Sequence, residues 1–399
     1  MTWRLNPLLL CLLLSAAAPV AQADPAFRAW VVNFCREAVA QGVTAKTCDD
    51  AFRDVQAPDA TVLEKAAYQP EFKAEAWEYL DARVNERAIA TGREKLREHA
   101  ELLQQIERET GVERQVLLAI WSMESGYGAA LQDPKRLYYL PQALATLAYA
   151  DSKRASYARS QLFAALKILQ RGDVARSDFY GSWAGAMGHT QFIPTSYLSY
   201  SVDEDGDGKS DIWHSVPDAL ATAARLLQRN GWRSQEPWGY EVILPPGFNF
   251  DESTRTLAEW QHAGVKPVGG RIFPDGSRKA ELRAFQGANG PAFLVMKNFF
   301  VLKAYNNADK YALAVALLAD RIAGKPAPLR DWQRPYTPLT IAEAEELQRL
   351  LAAQGFYSGE IDGKIGDESR RAIQRFQASR GEPQTGYPSQ EVLLTLRAR

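Results

Sequence analysis

A long stretch with a helical pattern is the feature that most constrains the fold of this 399-residue chain. Residues 24–230 are rich in Ala, Glu, Leu, Arg and Gln and contain few helix breakers, which is typical of α-helices. Between residues 232 and 290, Pro and Gly clusters separate short apolar runs that are typical of strands and turns. Helix is expected again over 293–322. The sequence therefore predicts a mainly α (α+β) fold, with a helical core and a small β-containing insertion.

The composition is that of a folded protein without a strong net charge. Hydrophobic residues make up 46% of the chain, and 47 Lys plus Arg against 48 Asp plus Glu leave a formal charge of −1. Such a chain lacks the basic field that attracts nucleic acid or an anionic membrane surface, so we expect neither as a main partner. A monomer is the default expectation.

The first 23 residues are typical of an export signal. Arg4 precedes an apolar run over residues 7–20, and Ala21-Gln22-Ala23 fits a small-x-small cleavage site. We expect cleavage after Ala23 and a periplasmic location. The run is shorter than the ~20 residues that a spanning helix needs, and no later stretch is long enough, so no transmembrane anchor is expected.

Two cysteines, Cys35 and Cys48, remain after the export signal. In an exported protein such a pair usually forms a disulfide, and closing a loop of about 14 residues would contribute ~3 kcal/mol to stability. The alternative is a pair of inert buried thiols.

The C-terminal 60 or so residues are typical of a separate module. Residues 326–338 form a proline-rich linker after a first domain of residues 24–325, and its stiffness is expected to hold a module of residues 339–399 at some distance. Three helices are expected in that module, marked by the capping box of Thr340 and Glu343, the terminating Gly355, a start near Asp367 and a start after Ser389.

This pattern resembles the small three-helix peptidoglycan-binding domain of many bacterial wall enzymes, over residues 339–396. The resemblance implies that the module binds peptidoglycan. The alternative is a compact helical cap without a ligand.

Glu124 is the candidate proton donor. Residues 110–128 predict a helix that begins at a capping box of Thr110 and Glu113 and stops at the glycines beside Tyr127, which places Glu124 in its last turn. The helix macrodipole disfavours a negative charge there, and apolar neighbours add a desolvation cost, so both effects raise the carboxyl pKa. An acid that protonates a glycosidic oxygen near neutral pH requires a raised pKa.

Two segments together carry a second resemblance. Residues 124–128 (ESGYG) and 181–197 (GSWAGAMGHTQFIPTSY) resemble the lytic murein transglycosylase B family, which has a lysozyme-like helical core, and the likeness runs over residues 27–323. Residues 303–311 match the groove segment of that family. The resemblance implies that Glu124 is the catalytic acid and that the substrate is contacted by Ser182, Gln191, Tyr127, Tyr305, Asn306 and Tyr311.

An acidic segment, residues 203–211, follows the spacing of an EF-hand calcium loop. Position twelve of the loop is His214, a poor calcium ligand, and the family resemblance indicates Asp218 as the closing carboxylate instead. We expect a structural Ca²⁺ that braces the loop after Gln191, with sodium or a solvated acidic turn as the alternatives. The expected ligands are Asp203, Asp205, Asp207, the carbonyl of Lys209, and Asp218.

The expected chemistry needs no cofactor. The four histidines are scattered without a His-Glu-x-x-His spacing, which argues against a zinc peptidase or amidase.

The family resemblance implies non-hydrolytic cleavage of the MurNAc-(β1,4)-GlcNAc bond of peptidoglycan, with Glu124 as acid and then base, to give 1,6-anhydro-MurNAc ends. The alternatives are a hydrolytic muramidase of the same fold and a non-catalytic wall-binding protein.

Overall fold

The computed structural model describes residues 23–67, 75–248, 253–287 and 290–398. Apart from Ala23, the predicted export signal lies outside these residues and stays a prediction. In the part of the chain that is described, no helix has both the length and the apolar character needed to cross a membrane.

The described residues are mainly helical, which confirms the predicted fold class. The helices are α1 (Pro25–Ala40), α2 (Ala45–Phe52), α3 (Ala60–Ala67), α4 (Ala76–Arg83), α5 (Glu86–Glu98), α6 (Ala100–Thr110), α7 (Arg114–Ser125), α8 (Leu140–Ala150), α9 (Ala155–Arg171), α10 (Pro194–Tyr200), α11 (Val216–Arg229), α12 (Leu257–His262), α13 (Lys297–Leu302), α14 (Asp309–Ile322), α15 (Ile341–Ala353), α16 (Asp367–Ser379) and α17 (Gln390–Arg397). The strands are β1 (Tyr138–Tyr139), β2 (Tyr180–Gly181), β3 (Gly239–Ile243), β4 (Arg255–Thr256), β5 (Lys266–Pro267), β6 (Lys279–Ala284) and β7 (Ala292–Val295).

The chain divides into two compact units. The first comprises residues 1–68 and 137–186, and the second comprises residues 69–136 and 187–399. In the first unit, helices α3, α8 and α9 bury small and branched side chains against each other, and the half-buried Trp183 packs on this cluster. The second unit contains α4 to α7, all the helices from α10 onwards, and the larger sheet.

The insertion forms a five-stranded antiparallel sheet in the order β4-β6-β7-β3-β5. All five strands lie within or just after the segment 232–290 that the sequence predicts to contain strands and turns, with β3 and β6 the longest of them. The helix expected from residue 293 is wrong at its start, because β7 occupies Ala292–Val295 in the middle of the sheet. All four residues of β7 are buried, and a short apolar run with both sides buried does not distinguish strand from helix by its periodicity.

The C-terminal module has the three expected helices. Thr340 and Glu343 form the predicted capping box of α15, and Ser389 caps α17. The expectation that the linker holds this module at a distance is wrong. Arg334 of the linker forms an ion pair with Asp81 of α4 at 2.7 Å. The linker and the module therefore pack against other parts of the second unit, to which they belong.

Candidate active site

Helix α7 places Glu124 in its last turn, as predicted, and Gly126 ends the helix with a φ of 60°. The predicted capping box at its start is wrong. Glu113 is itself the N-cap residue. Its carboxylate accepts hydrogen bonds from the Trp232 indole at 2.8 Å and from the backbone amide of Gln235 at 2.6 Å. Long-range partners therefore use the carboxylate that a local capping box would have used.

The carboxyl of Glu124 lies against α14. The hydroxyl of the buried Tyr311 donates a hydrogen bond to Glu124 Oε1 at 2.5 Å. Burial raises the pKa of Glu124 to about 7, while the Tyr311 hydroxyl and the positive charge of Arg83 act in the opposite direction. Within the described part of the chain, the groups that shift this pKa are Tyr311 and Arg83, and neither is a carboxylate. Glu124 is therefore an acid that both holds and releases a proton near neutral pH.

Two parallel tyrosine rings extend the site from α14. Tyr305 stacks on Tyr311 with ring centroids 6.4 Å apart and an interplanar angle of 14°. The Tyr305 hydroxyl donates to the carbonyl of Thr190 at 2.8 Å, and its ring meets the edge of Phe192. The predicted groove segment and the second half of residues 181–197 are thus in contact beside the candidate acid.

Residues 124–128 are fastened to the same loop. The Ser125 hydroxyl donates a hydrogen bond to the carbonyl of His189 at 2.6 Å and accepts one from the backbone amide of Gly128 at 2.9 Å. The indole of Trp121 donates to Nδ1 of His189 at 3.1 Å. A Cβ at residue 128, where φ is 90°, would come within 2.7 Å of the His189 ring, so only glycine permits this close approach.

Two of the predicted substrate residues have an unusual backbone conformation. Tyr127 has a φ of 59° and Gln191 a φ of 50°, in the left-handed region that residues other than glycine seldom adopt. The Tyr127 hydroxyl donates to the carbonyl of Ala88 at 2.8 Å, and Nε2 of Gln191 donates to the carbonyl of Gly188 at 2.8 Å. Backbone strain of this kind clusters at functional sites, where the surrounding structure compensates for it.

The remaining two predicted substrate residues lie in loops. Asn306 is exposed, and its side-chain oxygen accepts the amide of Ala308 at 3.2 Å. Ser182 belongs to the first unit, where its hydroxyl accepts the amide of Ala186 at 2.9 Å. The substrate roles of all six residues stay predictions.

Sequence reasoning missed two residues of α4. Arg83 donates from Nη1 to the carbonyl of Met123 at 3.1 Å, and its guanidinium lies 5.5 Å from the ring centroid of Tyr79. Both side chains interact electrostatically with Glu124. No local signal marks them, because α4 is a short helix about 45 residues before the candidate acid. Only the packing of the chain brings them to it.

Comparison with known proteins shows the family. The sequence model described as "Transglycosylase SLT domain" matches residues 26–320, which is most of the chain. The chain belongs to this family of lytic transglycosylases. A peptidoglycan-binding domain matches residues 341–396 of this SLT transglycosylase. These matches confirm both resemblances drawn from the sequence.

Solved structures and a sequence relative resemble this SLT transglycosylase over different lengths of the chain. SltB3 from Pseudomonas aeruginosa, in complex with NAG-NAM-pentapeptide, is 43% identical, with 93% of this chain and 99% of that chain covered and a TM-score of 0.74. SltB1 from the same organism is 28% identical, with 74% of this chain and 98% of that chain covered and a TM-score of 0.64. Membrane-bound lytic murein transglycosylase B of Escherichia coli is 29% identical over 218 residues, or 53% of this chain. The match spans 58% of the E. coli protein.

The acidic loop of the SLT transglycosylase brings three of the five expected metal ligands together. Carboxylate oxygens of Asp203, Asp205 and Asp218 lie within 4.8 Å of one another. Asp218 is fully buried, and burial raises its pKa. The side chain of Asp207 instead accepts a hydrogen bond from the backbone amide of Lys209 at 2.8 Å and does not belong to this group of carboxylates, while the carbonyl of Lys209 stays a predicted ligand. Three carboxylates at this spacing suit a hard cation such as Ca²⁺.

The cysteines differ from the expected disulfide. Cys35 on α1 and Cys48 on α2 are free thiols in the structure. The two thiols are nevertheless neighbours and form a hydrogen bond. This hydrogen bond is the main cause that raises the pKa of the Cys35 thiol, and burial is the second. The disulfide of the mature, exported protein stays a prediction.

Proposed function

We propose that this chain is a peptidoglycan lytic transglycosylase in which Glu124 acts alone, first as acid and then as base. The observation that carries the proposal is the single shielded carboxyl of Glu124, with a pKa of about 7 and one short hydrogen bond from Tyr311. A hydrolase of the usual kind needs two carboxylates at a defined separation. Among the residues that the structure describes, none of the groups that shift the pKa of Glu124 is a carboxylate.

The reaction follows from one proton carrier. Protonated Glu124 gives its proton to the oxygen between MurNAc and GlcNAc as that glycosidic bond breaks. The resulting carboxylate then accepts the proton of the MurNAc C6 hydroxyl, whose oxygen bonds to C1. The product is a 1,6-anhydro-MurNAc end, no water is consumed, and Glu124 is left protonated. The attack is intramolecular, so the protein mainly has to orient the sugar and exclude water.

The other site residues bind and orient the sugar in this proposal. The stacked rings of Tyr305 and Tyr311 and the ring of Tyr127 form apolar walls that suit the flat faces of sugars. The polar groups of Gln191 and Asn306 contact the N-acetyl groups and hydroxyls of the sugar. Tyr311 has a second role, since its hydroxyl holds the carboxyl of Glu124 in one orientation.

Product analysis tests the reaction. Purified sacculi are digested with the mature protein and with Glu124→Gln, and the fragments are identified by mass spectrometry with and without borohydride reduction. We expect anhydro ends, which borohydride leaves unchanged, from the wild type and none from the variant, while the variant still binds sacculi. Reducing ends would instead establish the hydrolytic muramidase, and full lysis by Glu124→Gln would refute the role of Glu124.

We also propose a structural Ca²⁺ at Asp203, Asp205 and Asp218. The buried Asp218 accepts the backbone amides of Glu204 at 2.8 Å and Asp211 at 2.7 Å, so it already joins the two ends of the acidic loop. A divalent cation there would neutralise the repulsion among the three carboxylates and stiffen the loop. It takes no part in the proposed proton transfer.

We further propose that the protein acts in the periplasm. The support is the predicted export signal, the peptidoglycan-binding domain of residues 341–396 and the murein substrate named for the E. coli relative. Peptidoglycan strands are then the principal partner, bound by both the active site and the C-terminal module.

A further inference from the structure

Helix α4 contacts the linker and the C-terminal module through one of its faces. Glu78 accepts a hydrogen bond from Arg370 of α16 at 3.1 Å, and Asp81 accepts two from Arg334 of the linker, at 2.7 and 3.0 Å. We call these four residues the clasp. The Glu78 side chain is only 16% exposed, so this ion pair is more shielded from water than a typical surface pair.

An aromatic cluster reinforces the clasp. Trp77 of α4 packs edge-on against Tyr336 of the linker at 5.4 Å and against Tyr387 of the module at 6.3 Å, and the two tyrosines stack at 4.8 Å. Trp77 is 2% exposed. The linker and the module thus contribute to the burial of α4, which also packs against α14.

Another part of α4 reaches the candidate acid. Arg83 donates to the carbonyl of Met123, one residue before Glu124, and packs over the ring of Tyr79. The carbonyls of the last helical turn lack partners within the helix, so Arg83 also caps the end of α7. The charge of Arg83 favours the ionised form of Glu124.

We propose that the C-terminal module is a working part of the active site, because the clasp holds α4 in the position from which Arg83 orients Glu124. Arg83 is a positioning residue in this proposal, and the inference rests on the function proposed above. A helix of two turns has little stability of its own, so the position of α4 depends on what packs against it. Release of the module therefore weakens the chemical step as well as wall binding.

The proton affinity of Glu124 reports the position of Arg83. Among the described residues, the titratable and charged groups that interact with Glu124 are Tyr311 on α14, Tyr305 just before it, and Tyr79 and Arg83 on α4. Of these four, Arg83 is the one that carries a positive charge. If it moves away, the pKa of Glu124 rises and the acid stays protonated to higher pH, so the alkaline limb of the pH–rate profile moves upward.

The experiment uses the full mature protein and a short soluble substrate, a GlcNAc-MurNAc tetrasaccharide with peptide stems. The clasp is broken by Arg370→Glu and, independently, by Arg334→Gln. Arg371→Glu is the matched control, because it makes the same charge change at an exposed neighbour on α16. Arg370→Lys keeps the positive charge and serves as the conservative rescue. Circular dichroism and thermal melts verify that each variant folds.

We expect Arg83→Gln to move the alkaline limb upward by on the order of 1 unit. We expect Arg370→Glu to move it in the same direction and to lower kcat by roughly 3- to 10-fold, because small displacements of catalytic groups reduce rates strongly. Arg371→Glu should behave as the wild type, and Arg370→Lys should recover most of the loss. In the Arg83→Gln/Arg370→Glu double variant the limb should move no further than in Arg83→Gln alone.

A clasp variant that folds and binds sacculi less well, yet keeps the wild-type kcat and pH profile on the short substrate, would overturn the proposal. So would fully additive shifts in the double variant. These outcomes are distinct from failure of the proposed function, in which the wild type itself would release no anhydro ends.

Discussion

The shielded state of Glu124 predicts a dependence of stability on pH that a single substitution removes. The pKa of this carboxyl is about 7 in the folded protein, against an ordinary value of 4.5. As pH rises from 4.5, the unfolded chain loses the Glu124 proton first and the folded chain keeps it until about pH 7. Ionisation of Glu124 therefore favours the unfolded state, and the contribution of Glu124 to the stability of the wild type should fall through this window.

The size of the effect follows from the shift. A difference of about 2.5 units at 1.36 kcal/mol per unit corresponds to about 3 kcal/mol. Gln has no ionised form, so Glu124→Gln escapes this loss. We expect the free energy of unfolding of Glu124→Gln, minus that of the wild type, to be about 3 kcal/mol larger at pH 8 than at pH 4.5.

Urea unfolding followed by tryptophan fluorescence measures this difference, with both proteins compared at each pH. Trp121 lies one turn from Glu124 on α7 and reports the unit that contains the site. The matched control is Glu94→Gln, which alters an exposed carboxylate of α5 and should give a pH-independent difference. If the Glu124→Gln difference is the same at both pH values, the carboxyl is not desolvated in the folded protein and the reasoning fails.

Three further perturbations test other parts of the site. Tyr311→Phe removes a hydrogen-bond donor to the Glu124 carboxylate, so the pKa of Glu124 should rise. The alkaline limb of the pH–rate profile for release of anhydro ends should then move up by about 1 pH unit. An unchanged limb would contradict the hydrogen bond. Ca²⁺ should raise Tm by roughly 5 °C in the wild type and leave Asp203→Asn unaffected, as measured by calorimetry with and without chelator. Thiol titration of the unfolded, exported protein should find Cys35 and Cys48 unreactive until a reductant is added; two reactive thiols beforehand would exclude the disulfide.

Several elements were predictable because short-range interactions specify them. The capping box of Thr340 and Glu343 joins residues three apart, and the end of α7 at Gly126 needs only a glycine with a positive φ. The same local reasoning failed for Glu113, whose carboxylate is bound by Trp232 and Gln235. A distant partner overrode the local pattern there.

The family, the last-turn position of Glu124 and the three-helix module were determined by the sequence alone, because motifs and helix ends depend on residues close together in the chain. The tertiary structure decided what Glu124 can do. Its proton affinity depends on burial and on Tyr311, 187 residues away, and on Arg83 of α4. The clasp that joins α4 to the module depends on Arg370, almost 300 residues beyond Glu78. Desolvation and charge act through space rather than along the chain, so only the folded protein brings these groups close enough to act.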